Sequence, residues 1–230
     1  MSMIYLIRHT TPAVARGMCY GQTDLDVTES FHQEAAVIRQ HLPRNIGRVY
    51  SSPLKRCTLL AQELFPDLPV ELRPGLMEIH CGRWEMRAWD DLPPEEVNPW
   101  MADFVQVRIP GGESYIDLHQ RVTQCWEAIS RENVREREDP RSHEDDSFRE
   151  DAASREIAAG DIAVIAHGGV LRSILSGITG TPLIDSFKAF SLHYGCVIRV
   201  FEAGGEWDYE VLCNPAPVEK EQHKPKAFYK

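Results

Sequence analysis

Within Asp161-Ile162-Ala163-Val164-Ile165-Ala166 the apolar run is unbroken from Ile162, stops at His167-Gly168-Gly169, and gives way at once to a helical pattern from Val170 to Ile178. A run this short, apolar and rich in β-branched residues fits a strand buried on both faces, and such strands belong to parallel sheets covered by helices. Met3 to Ile7 repeats the pattern and delivers Arg8-His9-Thr10 where the apolar signal stops. Arg48-Val49-Tyr50-Ser51 is a third such run, followed by Ser52-Pro53 and another helix that carries Arg56 in its first turn. The alternation predicts an α/β fold: a mostly parallel central sheet flanked by helices, three layers in all.

The remaining elements follow in order. Thr28 is expected to cap a helix with Phe31, Ala35, Ile38 and Leu42 on its buried face, and Ser52-Pro53 to cap the one carrying Leu54, Thr58, Ala61 and Leu64. Val70 to Leu72 reads as a strand closed by Pro74-Gly75. Leu76 to Pro110 is irregular and is expected to pass over the carboxyl edge of the sheet as short helices. Ser114 caps a helix with Leu118, Val122, Cys125 and Ile129 as its stripe, and Tyr194–Glu202 and Asp208–Leu212 form a hairpin about Gly204-Gly205. One domain over residues 1–214 is expected, with a charged insertion at 133–156 (a solvated helix extension or a disordered loop) and a polar tail at 215–230.

At 230 residues, 43% hydrophobic and 26% charged, the chain can bury a full core. A net charge of -10 argues against broad attraction to nucleic acid or an anionic membrane, and no apolar run is long enough to span a bilayer. The first apolar segment is too short, and lacks the basic flank, for a secretory signal. The six cysteines are scattered singly, without a CxxC pair, and are read as reduced thiols of a cytoplasmic protein rather than disulfides or a zinc site. His32, His41, His119, His143 and His223 are taken as surface residues, and Trp84, Trp89 and Trp100 as packing.

Ligands of open parallel sheets bind beyond the carboxyl ends of the strands. Three strand-to-helix junctions present polar groups there: Arg8-His9, Ser52 with Arg56, and His167. Two arginines supply forked donors for phosphate oxygens, and helix N-termini add backbone N–H groups. Two histidines between two arginines suit an anion better than a metal, because the neighbouring positive charge opposes a cation.

These residues carry a resemblance. Leu6-Ile7-Arg8-His9-Thr10 resembles the arginine-histidine-glycine signature of the histidine phosphatase superfamily, which includes the phosphoglycerate mutases. Tyr50-Ser51-Ser52-Pro53-Leu54-Lys55-Arg56, Glu78-Ile79-His80-Cys81-Gly82-Arg83-Trp84-Glu85, Pro110-Gly111-Gly112-Glu113-Ser114 and Ala166-His167-Gly168-Gly169 match further motifs in family order. The resemblance implies a phosphoglycerate mutase-like fold and a phosphomonoester hydrolase that needs no metal or other cofactor. In it His9 is the nucleophile that becomes phosphohistidine, Arg8, Arg56 and His167 hold the phosphoryl oxygens, and Glu78 is the proton donor and acceptor. The partner is a small phosphorylated metabolite; nothing in the sequence fixes an oligomeric state.

Three positions depart from the family pattern: Thr10 stands for glycine, Ala15 for an asparagine that touches phosphate, and Met86 for the glycine after Trp84-Glu85. Gln22 and Thr23 are the candidates to replace the asparagine as phosphate-binding residues. The acid segment, read as Glu78-Ile79-His80-Cys81-Gly82 before Trp84-Glu85, is similar to phosphatases rather than mutases, and the Cys19-Tyr20-Gly21-Gln22-Thr23-Asp24 loop to bacterial α-ribazole phosphatases of cobalamin biosynthesis. A phosphoglycerate mutase, another small-metabolite phosphatase, and a non-catalytic binding module on the same fold are the alternatives.

Overall fold

A computed structural model describes residues 3–138 and 160–216. Its single sheet has six strands in the order β3-β2-β4-β1-β5-β6: β1 is Ile4–Arg8, β2 Ile46–Ser51, β3 Val70–Leu72, β4 Asp161–Ala166, β5 Val197–Ala203 and β6 Glu206–Cys213. The first four run parallel, while β5 and β6 are antiparallel additions at one edge. Successive residues of β1 serve opposite faces: Ile4 and Leu6 join one apolar cluster, Tyr5 and Ile7 the other. Helices α1 (Phe31–Arg39) and α2 (Lys55–Leu64) cover the second face. Helices α4 (Tyr115–Glu138) and α5 (Gly168–Thr179) cover the first, so the expected three layers are present. Burying one such Ile or Leu contributes about 1.5–3 kcal/mol, which explains why continuous apolar runs specify the central strands so firmly.

Two helix starts differ from expectation. Helix α1 begins at Phe31, not after Thr28, because the Thr28 hydroxyl meets Ser30 Oγ at 2.7 Å and the Thr28 carbonyl accepts Phe31 N–H in a preceding turn. Helix α2 begins at Lys55, because Ser52 is still part of the sheet edge: its N–H donates to Ile165 O at 2.9 Å. Its hydroxyl accepts Leu54 N–H at 3.3 Å, so it acts as a turn residue before the helix rather than its cap. Ser114 does flank α4 as expected, exchanging hydrogen bonds with Asp117. The stretch from Leu76 to Pro110 forms single 3₁₀ turns and the helix α3 (Pro94–Ala102), packed about the fully buried Trp84 with Trp89 and Trp100. A short helix α6 (Ser186–Ala189) precedes β5.

Helix α4 runs into the charged stretch as far as Glu138; the rest of 133–156 lies outside the described residues, as does the tail from 217. No helix among the described residues is long and apolar enough to cross a membrane.

Met86 has φ 59°, the left-handed region, where an L side chain is strained by about 1–2 kcal/mol. It is held there by its N–H, which donates to Cys19 O at 2.8 Å. Its side chain is largely exposed, so little packing is lost on removal. Met86→Gly is therefore expected to stabilise the fold by a net of about 0.5–1 kcal/mol after the extra chain entropy of glycine. Urea denaturation checks this, and a destabilised variant contradicts it.

Candidate active site

The sheet register assembles the site. Arg8 pairs with Ala166 and Ser51 with Ile165, so the next residues of β1, β2 and β4 (His9, Ser52 and His167) leave the sheet side by side. His9 N–H still donates to Ala166 O at 3.1 Å, which ties the first junction to the third. The rings of His9 and His167 meet edge to face with centroids 5.1 Å apart, and both residues are buried. His9 Nδ1 lies 2.7 Å from Thr10 O. A carbonyl only accepts, so Nδ1 carries the proton and the lone pair of the neutral ring is on Nε2.

His167 is 0% exposed, with Nε2 2.8 Å from Ser52 Oγ. Burial, then the charges of Arg56, His9 and Arg8, hold its pKa well below the ordinary imidazole value. The Cys57 thiol 3.5 Å away is neutral too, its pKa pushed up to about 12 by burial. The histidine has a consequence for stability. The unfolded imidazole takes a proton near about pH 6.5, whereas the folded one takes it only at clearly lower pH. The stability contributed by neutral His167 is complete above that unfolded pKa and is lost as the pH falls below it. The advantage of the wild type over His167→Gln in thermal midpoint is expected to shrink between about pH 7.5 and about pH 5. A difference independent of pH contradicts a buried neutral ring.

Arg56, the second residue of α2, is also 0% exposed. Its Nη1 donates to Thr23 O at 2.9 Å and its Nη2 to Gly21 O at 2.6 Å, while its Nε has no hydrogen-bond partner. A buried guanidinium held by carbonyls keeps its positive charge uncancelled, and a buried N–H without a partner is rare unless a ligand supplies one. Arg8 donates from Nη1 to Leu192 O at 2.6 Å, with its guanidinium 4.0 Å from the centre of the Tyr194 ring. A third buried arginine, Arg172, had no place in the sequence reading. It donates from Nε to Phe190 O, and burial and the charge of Arg8 lower its pKa. Arg8 and Arg172 thus donate to the same segment, Phe190 to Leu192.

Glu78 reaches that N-terminus. One carboxylate oxygen accepts Gly169 N–H at 3.1 Å and the other accepts the N–H of Ile79 at 2.9 Å. A Cβ on Gly169 would lie 2.3 Å from Glu78 Oε1, so glycine is required for this approach. Arg121 of α4 fixes the segment from behind, donating to Met77 O and Glu78 O while pairing with Glu113.

The structure therefore brings together Arg8, His9, Arg56, Glu78 and His167. It gives Thr23, and in part Gln22, contacts other than the expected phosphate. Gln22 Nε2 donates to Glu78 O at 3.0 Å, and both the N–H and the hydroxyl of Thr23 go to Glu85. Both Thr23 donors are thus committed to Glu85, and Gln22 spends one N–H of its side-chain amide on the acid segment. His119, expected on the surface, is half-buried against α5, with Nδ1 2.9 Å from Ser173 Oγ and its pKa lowered by burial. It stands three residues before Val122, at the edge of the α4 stripe, which is the signal the sequence offered. Tyr194 was likewise missed as a site neighbour: its hydroxyl lies 2.6 Å from that of Tyr20, and its ring is 5.4 Å from that of His9.

Comparison with known proteins agrees with this geometry. Residues 4–138 match the model of the histidine phosphatase superfamily (branch 1). The chain is 29% identical over 187 residues to a metal-independent phosphoserine phosphatase of Arabidopsis thaliana, covering 76% of this chain and 68% of that one. It is 26% identical over 200 residues to the adenosylcobalamin/alpha-ribazole phosphatase of Escherichia coli, covering 84% and 86%. Two other curated relatives are spanned over 66% and 63% of their length. The crystal structure of the alpha-ribazole phosphatase from Shigella flexneri superposes with a TM-score of 0.75 at 22% identity, over 95% of this chain and all of that one, which establishes the fold. The family match and the phosphatase-named relatives support a phosphatase enzyme. With its motifs in order and more than half its length matched, the chain belongs to the histidine phosphatase superfamily.

Proposed function

We propose that the protein hydrolyses phosphate monoesters of small metabolites through a phosphohistidine formed on His9. The observation that carries this reading is Arg56: fully buried, bonded only to carbonyls, with an unpartnered Nε, beside a histidine pair whose nucleophilic lone pair is on His9 Nε2. In the first step Nε2 attacks phosphorus, the N–P bond forms and the P–O ester bond breaks. Glu78 gives its proton to the departing alkoxide. Arg8, Arg56 and His167 hold the equatorial oxygens, where charge accumulates. In the second step water attacks phosphorus, Glu78 takes its proton, the N–P bond breaks, and phosphate leaves. Cationic side chains supply the charge stabilisation that a metal provides elsewhere.

For the substrate we infer α-ribazole 5′-phosphate. Support comes from the likeness to the Escherichia coli adenosylcobalamin/alpha-ribazole phosphatase over 84% of the chain and from the Cys19–Asp24 loop. The similarity to the Arabidopsis enzyme favours phosphoserine as the second reading. Phosphate release in chelator from α-ribazole 5′-phosphate, phosphoserine, 3-phosphoglycerate and an aryl phosphate distinguishes them. A preference for α-ribazole 5′-phosphate is expected. Preference for phosphoserine moves the substrate and keeps the chemistry, and no release from any of the four sinks the phosphatase reading.

A further inference from the structure

Five donors converge on the carboxylate of Glu85, a half-buried residue that no step above uses. They are the N–H groups of Gly21 (3.0 Å), Gln22 (2.8 Å) and Thr23 (3.2 Å), the Thr23 hydroxyl (2.6 Å) and the N–H of Cys81 (3.1 Å). The same loop turns its carbonyls the other way: Gly21 O and Thr23 O are the two acceptors that hold Arg56. The peptide unit is rigid, so the Gln22 N–H held by Glu85 fixes Gly21 O within the same unit, and the hold on the N–H and hydroxyl of Thr23 anchors the residue whose carbonyl is the second acceptor.

The loop also has nowhere to relax. A Cβ on Gly21 would lie 1.8 Å from Ile79 O, which shows how closely its backbone is pressed against the acid segment. Cys81 N–H ties Glu85 to that segment as well, and Tyr20, just before the loop, reaches across to Tyr194 above Arg8 and His9. Burial opposes ionisation of Glu85, but the Thr23 hydroxyl and the backbone N–H groups outweigh it and hold the carboxyl below its usual range.

We propose that Glu85 is a positioning residue for phosphoryl transfer, its carboxylate setting the Gly21–Thr23 loop so that Arg56 meets the phosphoryl group beside His9. This rests on the phosphatase reading and adds a residue that acts through Arg56 without touching substrate. Glu85→Gln places an amide NH₂ against backbone N–H groups, so the clamp loosens while side-chain volume is kept.

The test measures kcat and KM on an aryl phosphate, calorimetric binding of inorganic phosphate, and the thermal midpoint for wild type, Glu85→Gln, Arg56→Ala and the double variant. Thr23→Val, which deletes the 2.6 Å bond, is the milder variant and stands in if Glu85→Gln does not fold. Glu85→Gln is expected to weaken phosphate binding about tenfold and to lower kcat, Thr23→Val to act in the same direction less strongly, and either to add less than about threefold once Arg56 is alanine. Unchanged phosphate binding with only a lowered thermal midpoint overturns the proposal, as does full additivity with Arg56→Ala. Phosphate binding that depends on Arg56 and Glu85 without turnover of any ester keeps the clamp and removes the phosphatase. A wild type that binds no phosphate removes both.

Discussion

His9→Ala is expected to lower turnover by at least about 10⁴-fold on every monoester and to abolish the phosphoenzyme with it. The size follows from its place in the proposed path: both bond changes at phosphorus pass through Nε2, and the other groups only hold oxygens or move a proton. The neighbouring His167 does not rescue the variant. Its Nε2 is engaged by Ser52 Oγ and lies among the cationic groups, so it is placed to hold an oxygen rather than to attack. Fold integrity is separable from this loss, because His9 follows the last residue of β1 and its ring meets the site residues His167 and Tyr194. Circular dichroism and thermal midpoint near those of wild type, with no phosphate released, are the expected readings. Residual turnover within about a hundredfold of wild type contradicts His9 as nucleophile.

Glu78→Gln is expected to slow alkyl phosphates by about 10²–10³-fold and aryl phosphates by less than about tenfold. The difference arises because an alkoxide is too basic to leave without a proton, whereas a phenolate of low pKa departs unaided. Glutamine keeps the size and one of the two acceptor oxygens, so the bond from either Gly169 or Ile79 is retained while the other is lost together with the transferable proton. A plot of rate against leaving-group pKa should steepen in the variant. Parallel lines for variant and wild type count against Glu78 as the acid. With the aryl ester, breakdown of the phosphoenzyme becomes the slower step, since Glu78 also takes the proton of the attacking water.

How far these features could be read without coordinates depends on whether their cause is local. The strands β1 and β4 and the helix α5 were legible because an apolar run and a helical stripe are written in consecutive residues. Arg8, His9, Arg56 and His167 were legible because each sits next to such a run, and the register of a parallel sheet brings the junctions level. The helix starts at Thr28 and Ser52 were misplaced by two residues because their backbones are claimed by a turn and by the sheet edge, which residue type alone does not reveal.

What commits Thr23 elsewhere is Glu85, more than sixty residues away, which takes both its N–H and its hydroxyl, a contact that nothing beside the loop announces. The same distance hid Arg172 and the Tyr20–Tyr194 contact: their significance lies in what they face across the fold, not in any pattern beside them. Met86 was visible as a departure from glycine, and its positive φ gives that departure a physical cost.

Covalent catalysis at His9 leaves a phosphoenzyme that can be trapped. Glu78→Gln, which should accumulate the intermediate, is mixed with an aryl phosphate, quenched at alkaline pH to preserve an acid-labile phosphohistidine, digested and mapped by mass spectrometry. One phosphoryl group per chain is expected on His9 Nε2, present during turnover and absent from the Glu78→Gln/His9→Ala double variant. Steady phosphate release with no phosphoryl group on His9, or with the label on another residue, would contradict covalent catalysis there.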